Sequence, residues 1–169
     1  MNYLRYLFCC IFMLIASPGY ADVYITISAK LIRPACIVTA ENGEKELFIN
    51  FNEVSFERLN DSKKSFGILV KECDLKKSLQ VYLSPREGKA IRINDEVLLA
   101  TSIDGLGIRF SGESTGKVFN LNEWNIISPV IDGGTGKFVF NAELITNKTV
   151  DNITAGMFNA SMSIMIDYL

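Results

Sequence analysis

Residues 156–169, at the end of the sequence, alternate between apolar and polar side chains. The even positions are apolar or small: Phe158, Ala160, Met162, Ile164, Ile166 and Tyr168. The odd positions are mostly polar, with Met157, Met165 and Leu169 as exceptions. Because successive side chains of a β-strand point to opposite faces, this period of two predicts a strand with one buried face. Such a strand needs neighbours, and since the sequence ends here we expect another molecule to pair with its second edge.

The start of the chain has the layout of a secretory signal peptide. Arg5 supplies a positive charge, residues 7–16 form an unbroken apolar run, and a breaker and small residues follow up to Ala21. An N-terminal membrane anchor is the less favoured alternative, because the apolar run is shorter than the about 20 residues that span a bilayer. We expect cleavage after Ala21, which leaves enough chain for one domain with its own core.

Cys36 and Cys73 are the two cysteines that would remain, because Cys9 and Cys10 lie in the apolar run. A pair of cysteines in an exported protein favours a disulfide. In the chain-entropy model such a bond would stabilise the fold by about 4 kcal/mol. A redox-active thiol is the alternative, but the sequence has neither a C-x-x-C motif nor a histidine to activate a thiolate.

A second alternating segment, residues 23–32, opens the mature chain. Its apolar face consists of Val23, Ile25, Ile27, Ala29 and Leu31. The pattern ends before Pro34, which would interrupt a ladder of hydrogen bonds. Periodicity alone does not distinguish an ordinary first strand from a free arm that completes the sheet of a neighbour.

Further short strands are predicted at the spacing typical of an all-β sandwich. They lie at residues 47–51, 65–73, 79–84, 97–101, 106–110, 117–121 and 137–146. Residues 57–64 are charged and polar and are expected to form an exposed connection. Because no stretch has a clear helical period, we predict an all-β chain with seven or eight strands in one Greek-key sandwich.

The sequence contains no histidine, which removes the commonest general base and metal ligand. Residues 133–137 (GGTGK) resemble a phosphate loop only in part, because Ile131 and Phe138 stand where that motif needs glycine and serine or threonine. The formal net charge of −2 is too small to suggest a nucleic-acid partner. We therefore predict no enzymatic activity, no cofactor and no metal.

Taken together and in order, these features resemble the pilins of the chaperone–usher pathway, in particular the small adaptor subunits of type 1 fimbriae. The alternating arm closely precedes Cys36, and residues 105–110 (GLGIRF) resemble the central segment of that family. Residues 140–143 (FNAE) resemble its aromatic-x-alanine stretch, and Tyr168 is its penultimate tyrosine. The resemblance extends over the whole mature chain.

The resemblance implies an incomplete immunoglobulin-like β-sandwich that lacks its final strand and is completed by a donor strand from another subunit. It divides the chain into a signal peptide (1–21), an N-terminal donor-strand extension (22–35) and a pilin domain (36–169). The implied donor residues are Val23, Ile25, Ile27, Ala29 and Leu31. The implied acceptor edge and chaperone contact is formed by Gly156, Phe158, Met162, Ile164, Ile166 and Tyr168. Cys36 and Cys73 match the disulfide of the family, whereas Ala29 stands where most members have glycine.

The implied function is that of a structural subunit, minor or adaptor, in a bacterial fimbria that supports cell adhesion. Its implied partners are two neighbouring subunits, a periplasmic chaperone and an outer-membrane usher, on a route through the periplasm to the cell surface.

Two other classes compete with this interpretation. A self-contained secreted β-sandwich could bind a carbohydrate through loops near Trp124 and Tyr82, although a single tryptophan in such a fold is more often part of the core. An exported hydrolase is disfavoured by the missing histidine.

Overall fold

The computed structural model describes Ser28, residues 36–149 and residues 152–169. Within that part, the chain forms ten β-strands and two short 3-10 helices, Phe56–Asp61 and Arg86–Gly88. The strands are β1 (Ile37–Ala40), β2 (Lys63–Lys71), β3 (Leu79–Pro85), β4 (Ala90–Ile93), β5 (Glu96–Ala100), β6 (Leu106–Gly112), β7 (Trp124–Ile127), β8 (Val130–Asp132), β9 (Thr135–Thr146) and β10 (Met162–Tyr168). The predicted all-β class is confirmed. No helix in these ranges is long and apolar enough to cross a membrane.

The strands pair into two antiparallel sheets. The larger sheet has the order β1-β2-β9-β6-β5-β4, with β8 also paired to β9, and the smaller sheet has the order β10-β3-β7. The long strand β9 pairs with β2 along one edge and with β6 and β8 along the other, so it lies at the centre of the larger sheet. Strands β1 and β10 each pair with a single neighbour in the described chain, so each is an edge strand.

The strands predicted at residues 65–73, 79–84, 97–101, 106–110 and 137–146 are confirmed, with their ends moved by one to two residues. Strands β1, β4, β7 and β8 were not predicted. Each of them has only three or four residues, which is too short for alternation to stand out from chance. The connection predicted at residues 57–64 is largely a 3-10 helix, and β2 already begins within it.

The strand predicted at residues 47–51 is wrong. The alternation is visible, because Phe48 is 89% exposed whereas Phe51 packs against the core. No ladder partner runs beside this segment among the described residues, and the side chain of Asn50 accepts a hydrogen bond from the backbone N–H of Asn52 at 2.8 Å. Asn52 has a φ of 57°, so the chain turns there instead of extending.

The strand predicted at residues 117–121 is also wrong. Val118 forms an isolated bridge to Ser111 in the larger sheet, whereas Leu121 forms one to Leu83 in the smaller sheet. Because the segment crosses from one sheet to the other within four residues, neither ladder can continue along it.

The core lies between the two sheets and is rich in phenylalanine. Phe140, on β9, is fully buried and stacks on Phe66 of β2 with ring centres 5.3 Å apart. Phe138 and Phe119 contact the same ring at 4.7 Å and 5.5 Å. The smaller sheet contributes Val81, Leu83, Ile127 and Ile166 to this cluster. The predicted apolar face of β9, which consists of Phe138, Phe140, Ala142 and Leu144, is therefore confirmed.

The outer face of the larger sheet carries an ion cluster that joins three neighbouring strands. The carboxylate of Glu143 accepts hydrogen bonds from Nη2 and Nε of Arg109 at 2.7 and 3.2 Å, and Lys63 lies 3.3 Å away. Burial alone would raise the pKa of Glu143, but the hydrogen bonds and charges of Arg109 and Lys63 outweigh burial and lower it. The cluster therefore stabilises the pairing of β9 with β2 and β6.

We predict that Glu143→Gln lowers the free energy of unfolding by about 1–2 kcal/mol at neutral pH, because charged hydrogen bonds are lost. Since the pKa of Glu143 is lowered in the folded protein, its contribution is complete above the unfolded value of about 4.3 and is lost as the pH falls through the folded value. Urea unfolding of both proteins at several pH values measures the difference. Glu57→Gln, at an exposed site, is the control, and an equal deficit at pH 3 and pH 7 would contradict the prediction.

Candidate functional site

The edge of β10 is the most unusual surface of the smaller sheet. Strand β10 pairs with β3 along its whole length, from Met162 opposite Pro85 to Tyr168 opposite Leu79. No strand in the described ranges pairs with its other edge. An edge strand presents a row of backbone N–H and C=O groups to which another strand can hydrogen-bond. The edge of β10 is therefore a template for strand addition.

The apolar face of β10 is only partly covered by the core. Ile166 is buried, whereas Met162, Ile164 and Tyr168 are partly buried and pack at the margin of the core cluster. The intervening residues Ser163 and Asp167 are exposed, so the predicted alternation is confirmed for this strand. A row of half-covered apolar side chains along an unpaired edge can accept the side chains of an added strand.

The edge strand β1 lies on the same side of the sandwich as β10. Tyr168, at the end of β10, is close enough to Cys36, which directly precedes β1, for the two groups to affect each other's titration. Between the two edges lie further apolar side chains that are only partly buried. These are Val38, Phe51, Val54, Phe56 and Phe158. The two sheets are thus open along one side.

Residues 156–161 precede β10 and do not belong to it, so the predicted strand begins at Met162 instead of Gly156. This segment is fastened to loops by backbone hydrogen bonds. The N–H of Ser102 donates to the carbonyl of Asn159 at 3.0 Å, and the N–H of Arg86 donates to that of Ser161 at 2.9 Å. Phe158 packs on Phe51 with ring centres 6.2 Å apart. Gly156 and Phe158 therefore extend the apolar side without being part of the ladder.

The last turn of β10 is held at several points. The hydroxyl of Tyr168 accepts a hydrogen bond from the backbone N–H of Asp74 at 2.7 Å, and its carbonyl accepts one from Nε2 of Gln80 at 3.1 Å. The ammonium of Lys77 lies 5.6 Å from the centre of its ring, within the range of a cation–π interaction. Burial raises the pKa of the Tyr168 hydroxyl, the Asp74 N–H opposes that shift, and the neighbouring Cys36 adds to it.

Cys36 and Cys73 are brought together by the pairing of β1 with β2. Cys36 directly precedes β1, Cys73 follows the end of β2, and the antiparallel register begins with Ile37 opposite Lys71. Burial, together with the neighbouring Cys36 thiol, raises the pKa of Cys73 to about 12. A thiol with such a pKa is protonated at neutral pH and is a poor nucleophile. The geometry therefore suits a structural pair better than a reactive thiol.

The structure places the remaining site residues differently. Val23, Ile25, Ile27, Ala29 and Leu31, the predicted donor residues, lie outside the described residues. Sequence reasoning missed Phe51, Val54 and Phe56, which line the open side, because they belong to no regular strand. Trp124 is 46% exposed, so the expectation that a single tryptophan belongs to the core is wrong here.

Comparison with known proteins adds a family to this geometry. A family model described as fimbrial protein matches residues 23–169. The Type-1 fimbrial protein subunit of Serratia marcescens is 24% identical over 161 residues, which cover 88% of this chain and 87% of that relative.

Solved pilus subunits are similar in structure. The P pilus rod subunit PapA matches with a TM-score of 0.61 at 16% identity, over 80% of this chain and 100% of PapA. A chaperone–usher pilus solved to explain rod uncoiling gives 0.59 at 15% identity, over 90% of this chain and 99% of that one. The P pilus adaptor subunit PapF gives 0.53 at 18% identity, over 82% and 98%. These likenesses show the fold, and they confirm the predicted immunoglobulin-like sandwich.

We predict that Tyr168→Phe destabilises the protein by about 1 kcal/mol, because the Asp74 N–H loses the hydroxyl that accepts its hydrogen bond. Thermal unfolding measures the loss, and NMR hydrogen exchange should show faster exchange of the Asp74 amide. Tyr82→Phe is the matched control, because the described structure shows no hydrogen bond to the Tyr82 hydroxyl. Unchanged exchange at Asp74 would contradict this account of the end of β10.

Proposed function

The chain belongs to the fimbrial protein family and is a pilus subunit of the chaperone–usher type, and we propose that it is a minor or adaptor subunit that assembles by donor-strand exchange. The observation that carries this proposal is the open side between β1 and β10. There an unpaired strand edge runs along a row of half-covered apolar side chains. A strand added at this edge would gain backbone hydrogen bonds from β10 and would bury its alternate side chains over the core.

The proposed donor strand is the segment 22–35 of a neighbouring subunit, with Val23, Ile25, Ile27, Ala29 and Leu31 facing the open side. At about 3.3 Å per residue, the nine residues from Val23 to Leu31 extend over roughly 30 Å, whereas the seven residues of β10 extend over roughly 23 Å. The arm is therefore long enough to cover the whole of β10 and to reach the apolar residues that precede it. Ala29 adds a methyl group where most pilins have glycine, which would tune the fit to one neighbour.

The proposed acceptor residues are those on and before β10: Gly156, Phe158, Met162, Ile164, Ile166 and Tyr168. Before assembly, a periplasmic chaperone would pair with the same edge, and it would release the subunit at an outer-membrane usher. A chain with both an arm and an open side can donate to one neighbour and accept from another. This pair of features fits a position within the fibre, which would support adhesion by linking other subunits to the cell.

We further propose that Cys36 and Cys73 form a disulfide after export. The pairing of β1 with β2 already brings them together, and the turn after Cys73 carries the Asp74 N–H that holds Tyr168. The bond would therefore fix one end of the open side.

We expect non-reducing peptide mapping of the exported protein to recover Cys36 and Cys73 in one linked peptide. A Cys36→Ser, Cys73→Ser variant should be less stable by about 4 kcal/mol, because the constraint on the unfolded chain is lost. Two free thiols in the exported protein would contradict the proposed disulfide.

The test of donor-strand assembly is self-complementation. We predict that a copy of residues 22–35, joined after Leu169 by a flexible linker, raises the melting temperature by more than 10 °C and keeps the protein monomeric, because the missing strand is supplied within one chain. In the matched control, Ile25 and Ile27 of the added copy are replaced by aspartate, which should abolish the gain. If the unfused chain is already a stable monomer and the intact copy changes nothing, donor-strand exchange is excluded.

A further inference from the structure

The outer face of the smaller sheet, opposite the core, carries an aromatic row that the proposed assembly does not use. Tyr82 on β3 lies directly opposite Trp124 on β7 and directly opposite Met165 on β10, so one row crosses all three strands. Trp124 is 46% exposed and Met165 is 48% exposed. We name this surface the aromatic row, and it consists of Met165, Tyr82 and Trp124. Ile126 adjoins it on β7 and is 54% exposed.

The two rings of the aromatic row are held in place before any ligand arrives. The ring centres of Tyr82 and Trp124 are 5.2 Å apart at an interplanar angle of 59°, which is a favourable contact between aromatic rings. The turn that precedes Trp124 is fixed by the buried Asn125, whose Nδ2 donates to the carbonyls of Asn120 and Glu123 at 2.9 Å each. The carboxylate of Glu123 in turn accepts a hydrogen bond from Nδ2 of Asn120 at 2.9 Å. A ligand would therefore meet a rigid surface.

We propose that the aromatic row binds a neutral carbohydrate. The faces of tryptophan and tyrosine rings attract the C–H groups of a sugar ring, because the face of an aromatic ring is electron-rich and apolar. Sugar hydroxyls also need polar partners, and short or uncharged polar side chains flank the row on the same face of the strands. These are Gln80 and Ser84 on β3 and Ser163 on β10, with Asp167 beyond them.

The charges on this face favour a neutral ligand. No lysine or arginine occupies an outward position of β3, β7 or β10, and Asp167 is the single acid among those positions. A sialylated or sulfated glycan would therefore find no positive charge on these strands and would be repelled by Asp167. An uncharged sugar has no such cost.

The dimensions of the aromatic row favour a small ligand over a second protein. Neighbouring strands lie about 4.8 Å apart, so a row across three strands is roughly 10 Å long, comparable to a disaccharide. A stable protein–protein interface buries about 800 Å² on each partner, which exceeds what one row of side chains can offer. This inference is independent of donor-strand exchange, because the aromatic row lies on the face of the sheet and not on the free edge of β10.

Trp124 is the single tryptophan of the chain, so its fluorescence reports directly on the proposed site. The full chain, purified after export, is titrated with lactose, maltose and cellobiose, with sialyllactose as the anionic counterpart of lactose. We expect a saturable change in tryptophan emission with at least one neutral disaccharide and at least tenfold weaker binding of sialyllactose. A neutral glycan array then identifies the preferred sugar.

The variants Trp124→Ala and Trp124→Phe are compared on the same array, with Val130→Ala on the larger sheet as the control for loss of an exposed apolar side chain. We expect Trp124→Ala to lose binding at least tenfold, Trp124→Phe to keep part of it, and Val130→Ala to keep all of it. Circular dichroism of each variant verifies that it is folded. The proposal is overturned if no neutral glycan binds, if Trp124→Phe and Trp124→Ala bind as well as the parent chain, or if the variants change only the oligomeric state.

Discussion

Strand β10 has backbone groups along one edge that no described strand satisfies, and an apolar face that the core covers only in part. In water, such an edge would pair with any available strand, which makes it a liability unless a specific strand is supplied. The rest of the smaller sheet follows from this constraint. Strand β3 pairs with β10 over its full length, and the two loops at the ends of β3 hold the ends of β10.

The two ends of β10 are fixed by different means, and this keeps the free edge straight between them. At the far end, Tyr168 is held by the Asp74 N–H and by Gln80. At the near end, backbone hydrogen bonds tie Asn159 and Ser161 to neighbouring loops. A strand that is ordered in advance costs less conformational entropy when a partner binds, so the same partner binds more tightly. The edge is thus prepared for strand addition by contacts that lie outside it.

Alternation in the sequence predicted the elements that lie against the core. The buried face of β9, from Phe138 to Leu144, and the inward face of β10 both follow from a period of two. Alternation failed at residues 47–51 and 117–121, because a strand also needs a partner in register. The partner depends on where the chain crosses between sheets, as Val118 and Leu121 show. The hydrogen bond between Asp74 and Tyr168 could not be predicted either, because it joins residues that are far apart in the sequence.

The position of Trp124 shows the limit of composition-based reasoning, and it also separates two roles within one sheet. Residues of β10 that point inward line the open side, whereas Met165, one position away, points outward toward Tyr82. A donor strand at the edge would therefore leave the aromatic row uncovered. Each copy of the subunit in a fibre would then present one such row. Weak sites repeated along one fibre act with a high effective concentration, so modest affinity at a single row suffices for firm attachment when several copies are present.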